Sequence, residues 1–279
     1  MKFVKMNGLG NDFIILNNLE EKIPPEQLPR LAKRLCHRQF SVGADGLMVV
    51  EAAKNGGDFS MIFLNSDGSY GEMCGNGARC LCRYGYEQGL SGAEPRIETA
   101  AGLVTGQRLS RRIYRIALNL PSVVRLGQTV PALSRQWRCD YVELGNPGIP
   151  HAVVPMEQVP EGEPLLPLGA ALRSCPAFPK GANVNFYTVL KADELSVKTY
   201  ERGVEGFTLA CGTGVGSTVA ALTLAGMVSG RQVLVHVPGG DLTVDAEAAE
   251  GAIAHLYLTG ATTMVCAGEV FDDEEDSHG

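Results

Sequence analysis

Short runs of alternating apolar and polar residues fill most of this chain, and glycine, proline, asparagine or aspartate close nearly every run. That period-two pattern predicts strands. KFVKMNGLGNDFIIL reads as strand, turn, strand, followed by GLMVVE, FSMIFLN, RIETAAG, VTGQRL and YRIALNL. Further on, RCDYVELGNPG, HAVVP, VNFYTVL, ELSVKTYE, QVLVHVPGG, LTVDAE, AIAHLYLTG and TMVCAGEVF continue the series. Helical periodicity is scarce. PPEQLPRLAKRLCHR predicts a short amphipathic helix with prolines at its start. Two more helices are predicted over residues 78–88 and 215–228. The second, VGSTVAALTLAGMV, is apolar or small on every side, the mark of a helix buried all round.

Each of these two helices follows one elbow: EMCGNGARC at residues 72–80 and LACGTGVGS at residues 209–217. A strand-rich segment precedes each, FSMIFLNSDGSYGEM in one case and LSVKTYERGVEGFTLA in the other. The chain thus reads as a divergent duplication, far longer than a solenoid repeat. The expected fold is α+β, with two similar domains. Each is a mostly antiparallel or mixed sheet wrapped around a central helix, with the active site in the interdomain cleft. We place the domains at 1–120 and 121–279, with the boundary near Leu120–Pro121 and the last strand, about 264–271, returning to the first.

Composition changes this picture little. The 279 residues are 45% hydrophobic, which suits a folded globular chain. Net charge is −7, but the tail after Phe271, DDEEDSHG, holds five of the acids and is expected to be a solvated end. The rest is nearly balanced, with no basic stripe for nucleic acid. No apolar run is long enough for a membrane span, and the start does not read as a secretory signal, so a cytoplasmic location is expected. Without that signal, the eight cysteines are expected as thiols, with Cys36, Cys80, Cys82, Cys139, Cys175 and Cys266 acting as small buried hydrophobes. There is no phosphate-loop motif and no complete zinc signature, so neither cofactor nor metal is expected. The expected partner is a small amino-acid substrate, and a homodimer is left open.

The elbows carry the chemistry. A helix N-terminus offers N–H groups and the positive end of the helix dipole, and glycines let a backbone approach a ligand closely. Each elbow suits a carboxylate, and the same field favours a thiolate on an adjacent cysteine. Two such elbows suit removal of a proton beside a carboxylate on one face and its return on the other. The alternatives are a cysteine hydrolase pairing one cysteine with His151, with the other elbow structural, and a non-catalytic amino-acid-binding protein. His151 also reads as a core or turn histidine, and Asn65, Asn146 and Asn183 as turn residues.

In chain order, NGLGNDF, VGADGL, FLNSDGS, EMCGNGARC, GNP…PH, NVNF, YERG, ACGTG, PGGDLTV and LTGATTMVCAGEV resemble the diaminopimelate epimerase family over nearly the whole length. The resemblance implies a pyridoxal-phosphate-independent epimerase that converts LL- to meso-diaminopimelate for lysine and peptidoglycan synthesis. It implies Cys74 and Cys211 as the acid/base pair. Gly75, Asn76, Gly212 and Thr213 would bind the reacting carboxylate, and Asn11 would lie beside the reacting centre. Asn65, Asn146, Asn183 and Arg202 would hold the distal end, with Glu201 and His151 near the reacting amino group. Two stretches depart from the family pattern. GNPGIPH stands where GNPH is usual, and ERGVEGFTLACG is one residue longer than usual and lacks Gly-Glu-Thr, which leaves a racemase for another amino acid as the same-class alternative.

Overall fold

The computed structural model describes residues 1–71 and 73–271. The acidic tail, 272–279, lies outside the described residues. The chain forms two compact units, one of Met1–Tyr114 with the residues from Thr262 on, the other of Arg115–Ala261. Among the described residues, no helix is long and apolar enough to cross a membrane.

In the first unit, Thr263–Glu269 pairs antiparallel with Lys2–Gly8, which pairs with Asn11–Asn17. The sheet continues through a parallel pairing to Gly46–Glu51, then antiparallel to Phe59–Asn65. Phe59–Asn65 runs parallel to Arg96–Thr99, which closes on Gly102–Arg108. Helix α1 is Asn18–Glu21, capped by the Asn17 side chain, and α2 is Leu28–Cys36. Successive strand residues face opposite sides. Ile14, Leu16, Leu47 and Val49 pack with Leu28, Leu31 and Leu35 of α2. Phe13 and Met48, one position out of phase, meet helix α3 (Gly75–Glu87) at Gly77. Because α3 touches Lys2–Gly8, Asn11–Asn17 and the distant Gly102–Arg108, the sheet curves around it.

The second unit repeats this plan. Pro121–Ala132, Arg135–Leu144 and Ile149–Pro155 pair antiparallel, and Ile149–Pro155 runs parallel to Asn183–Lys191. Glu194–Glu201 follows antiparallel, then Val233–Val237 parallel, then Gly240–Ala249 and Ala252–Ala261 antiparallel. Helix α4 (Leu166–Arg173) covers one face over Tyr141, Val184, Phe186 and Tyr200. Helix α5 (Gly212–Leu224) packs on the other, against Arg135–Leu144, Ile149–Pro155, Asn183–Lys191 and the last two strands. Its residues from Gly214 to Leu222 are all buried, as its sequence requires.

Three expectations change. Helices α3 and α5 start three residues early, because the glycines after each cysteine form the first helical turn instead of preceding it. Helix α5 ends at Leu224 rather than 228, because Gly226 takes a left-handed conformation (φ +69) that ends it. And Cys266 is exposed, unlike the other five non-elbow cysteines, because Thr263–Glu269 is an edge strand whose residues from Val265 on face solvent.

Candidate functional site

The two elbows have one geometry. Cys74 is the N-cap of α3 (φ −129°, ψ 119°) and Cys211 the N-cap of α5 (φ −117°, ψ 104°), each extended and each leading into a thirteen-residue helix. Neither sulfur caps its own helix. A glycine at the first helical position lets the backbone turn at once, and Gly75–Asn76 and Gly212–Thr213 supply N–H groups that an α-helix leaves without an internal acceptor. The second glycines answer to packing. A Cβ on Gly77 would lie 1.7 Å from Met48 Cε, and one on Gly214 would lie 2.3 Å from Asn185 Oδ1. Both are points where helix presses on sheet, so any side chain there displaces the elbow.

Around Cys74, the structure gathers residues from four segments. Its Sγ donates to Asn11 Oδ1 at 3.3 Å, and Asn76 Nδ2 donates to the same oxygen at 3.3 Å. Asn11 Nδ2 donates to Asp45 Oδ2 at 2.7 Å. Behind Asn76 lies Arg79, with no solvent exposure, donating to Asn76 Oδ1 (2.9 Å) and to the Gly75 carbonyl (3.3 Å). Next to Asn11, Asp12 is gripped by both Nη of Arg38 (2.7 and 3.1 Å) and by Lys5 (3.1 Å). Burial alone would raise the Asp12 pKa, but the hydrogen bonds from Arg38 and Lys5 outweigh it and the net shift is downward. Asn65 ends its strand exposed, with its side chain bonded to Ser69 Oγ at 2.9 Å and not to this group.

In the second unit, Cys211 Sγ lies 3.6 Å from Thr213 Oγ1. His151 and Asn183 are register partners on parallel strands. His151 is fully buried, its Nδ1 is 3.3 Å from Asn185 Nδ2, and its Nε2 has no hydrogen-bond partner. Burial, with the charge of Arg202 adding to it, pushes the His151 pKa down to about 3, so the ring is neutral at pH 7. Having no partner, His151 Nε2 makes no hydrogen bond to Cys211. Asn183 Nδ2 donates to the Pro150 carbonyl (3.2 Å), and its Oδ1 accepts from the Arg202 N–H (2.8 Å). Glu201 is the last residue of its strand and Arg202 the first of the turn after it, so the alternation of a strand no longer separates them. Arg202 Nη1 donates to the Lys180 carbonyl at 2.8 Å.

Both departing stretches join these contacts, GNPGIPH through the Pro150 carbonyl and ERGVEGFTLACG through the Arg202 N–H. Asn146 is exposed in the turn between Arg135–Leu144 and Ile149–Pro155. The Glu205 carboxylate is held by Arg173 Nε at 2.8 Å and by the Gly203 N–H at 3.0 Å. Sequence reasoning missed Asp45, Arg79, Asn185 and Thr199, whose Oγ1 donates to Asn185 Oδ1 at 2.9 Å. Asp45 and Arg79 lie inside the VGADGL and EMCGNGARC motifs, which were the signal that could have found them.

The profile of the diaminopimelate epimerase family matches residues 3–110 and 144–265. The chain is similar to a diaminopimelate epimerase of Moorella thermoacetica, 39% identical over 96% of this chain and 99% of that one. It is also similar to a diaminopimelate epimerase of Aquifex aeolicus, 36% identical over 98% and 99%. Among solved structures, it shares its fold with a probable proline racemase from Agrobacterium radiobacter with bound carbonate (TM-score 0.74, 20% identity, 99% and 94% of the two chains). It also shares it with a hydroxyproline epimerase from Agrobacterium vitis with bound trans-4-hydroxy-L-proline (TM-score 0.69, 20% identity, 96% and 91%).

Proposed function

This chain belongs to the diaminopimelate epimerase family, and from that premise we propose that it interconverts LL- and meso-diaminopimelate by two-base proton transfer at Cα, without a cofactor. One observation carries the reading: each unit builds one cysteine as the extended N-cap of a buried helix with glycine at its first position. Proton removal beside a carboxylate leaves an electron pair that spreads onto the carboxylate oxygens. The first-turn N–H groups of Gly75, Asn76, Gly212 and Thr213 suit that charge, because helix ends hold anions with fixed dipoles. One cysteine thiolate takes the Cα proton, and the thiol of the other gives its proton to the opposite face. Carbon is inverted, and the two sulfurs exchange protonation states.

We assign Cys74 and Cys211 as this pair, with Asn11 beside the first. The free Nε2 of buried His151 is an apt acceptor for the substrate's amino group, with Glu201 assisting there. Arg202 presents a planar fork suited to the distal carboxylate, with Asn183 bonded to its N–H; for Asn65 and Asn146 a part at that end rests on the family resemblance alone. The reaction would serve lysine and peptidoglycan precursor synthesis in the cytoplasm. The test is incubation with LL-diaminopimelate in D2O. The expected result is meso product with one deuterium at Cα, and far lower kcat/KM for proline, histidine, lysine and glutamate. A site that hydrogen-bonds two amino-acid ends rejects substrates lacking one. A panel member turned over as well as diaminopimelate would overturn the substrate assignment, and absence of Cα deuteration would overturn the mechanism.

A further inference from the structure

Four side chains of the first unit form one unbroken line of donors and acceptors. Arg79 donates to Asn76 Oδ1, Asn76 Nδ2 to Asn11 Oδ1, and Asn11 Nδ2 to Asp45 Oδ2. Asp45 is held at its far oxygen by Arg38 at 2.7 Å. The two amides in the middle are nearly symmetric in shape, so each could be turned either way. The ends remove that freedom. Arginine can only donate and an ionised aspartate can only accept. Asn76 must therefore offer its oxygen to Arg79 and its NH2 to Asn11, and Asn11 must offer its NH2 to Asp45 and its oxygen back toward Asn76.

That same oxygen is the atom 3.3 Å from Cys74 Sγ. An oxygen there accepts from S–H and cannot donate to S⁻; an NH2 would do the reverse. The arrangement is tightly enclosed, for a Cβ on Gly8 would lie 3.0 Å from the Asn76 carbonyl and 3.4 Å from Arg79 Nη2. Arg79 is fully buried and has no carboxylate partner among the described residues, although an unpaired buried charge is costly. Its charge also acts on Cys74. The second elbow carries other residues at the corresponding positions: two positions after Cys211 stands Thr213, and five positions after it Gly216.

We propose that Arg79 and Asp45 are positioning residues that fix the polarity of this chain, so that Asn11 turns its carbonyl oxygen, not its NH2, to Cys74. In this way the proton on Cys74 has a set direction in the half-cycle in which that sulfur is the acid. The functional consequence rests on the epimerase reading; the polarity itself does not.

The test is therefore made without substrate. Alkylation of Cys74 by iodoacetamide at pH 7 is followed by peptide mass spectrometry, with Cys211 in the same sample as the reference. Asp45→Asn removes the shorter of the two bonds that set the orientation of Asn11 (2.7 Å, against 3.3 Å from Asn76), and Cys74 should react roughly three- to tenfold faster relative to Cys211, the size of one ordinary hydrogen bond. Asn11→Ala should do the same, and Asp45→Asn added to Asn11→Ala should change nothing further. Should Asp45→Asn fail to fold, Asn11→Ala alone decides: an unchanged Cys74 rate overturns the proposal. An equal effect of Asp45→Asn with and without Asn11 also overturns it, since Asp45 would then act through the backbone. In the epimerase assay, Asp45→Asn should lower kcat with little change in KM. A wild-type protein that fails to epimerise diaminopimelate refutes the function while leaving the alkylation result to judge the chain.

Discussion

At the residue scale, the sharpest expectation concerns the sulfurs. On the proposed mechanism, Cys74→Ala and Cys211→Ala should each lower kcat by at least roughly 10²–10⁴-fold, since each would remove the proton carrier for one face. Measured under the same conditions, Cys80→Ala and Cys82→Ala should not. Burial pushes the Cys80 and Cys82 thiols up to about 12, so they hold little thiolate at neutral pH and should stay unmodified while exposed Cys266 alkylates. Arg202→Lys should raise KM for diaminopimelate sharply, because a point charge does not reproduce the planar fork. The elbow cysteines were legible in the sequence, because a Cys-Gly-x-Gly step repeated before two buried helices points to a paired chemistry that a single helix-entry cysteine would not. Asn11 was legible only through family resemblance. Asp45 and Arg79 were not assigned roles, because their bonds to Asn11 and Asn76 depend on how a strand, a turn and a helix converge, and spacing along the chain does not encode that. His151 was ambiguous for the same reason, since its burial and its unshared Nε2 exist only in three dimensions.

At the element scale, each helix start is held by one small residue. Gly214→Ala should place a methyl against the Asn185 amide and the Thr199 hydroxyl. Overpacking of that kind costs about 1–3 kcal/mol, visible as a lower Tm in calorimetry, and activity should fall further than stability because Cys211 moves with the turn. An alanine variant with unchanged Tm would show that the sheet can yield there. The strand pattern was read well because alternation survives in one sequence. Leu166–Arg173 was missed as a helix, since LPLGAALR carries a proline and a glycine, and its stability comes from packing on Tyr200 and Leu172's neighbours instead of from propensity. Pro121–Ala132 was missed likewise, its twelve residues interrupted by glycine and proline yet held by a long ladder to Arg135–Leu144.

For the whole molecule, His151 and Asp12 each contribute to the response to acid. His151 stays neutral in the folded chain down to about pH 3, whereas an unfolded histidine takes up its proton near pH 6.5. The unfolded state thus binds more protons as pH falls from about 6.5 to about 3, and stability declines across that window. Asp12, depressed by Arg38 and Lys5 against its burial, contributes stability above its unfolded value of about 3.9 and loses it as pH falls further. Urea midpoints measured from pH 7 downward should therefore fall in both ranges. His151→Asn should flatten the upper part of the curve and Asp12→Asn the lower part; a midpoint independent of pH between 6.5 and 4 would contradict the neutral buried histidine.

The first sheet begins with Lys2–Gly8, and that strand's outer partner is Thr263–Glu269, with the Met1 and Val270 backbones bonded to each other. A ribosome emits the first of these long before the second. During synthesis, the opening strand has one neighbour and a bare edge, and such edges recruit foreign strands. The Arg115–Ala261 unit has no such debt, since all its strands emerge in one stretch. Newborn chains should therefore complete the later-made unit first and seal the earlier-made one last, so that truncation within Thr263–Glu269 leaves the oldest part of the chain the most prone to aggregate.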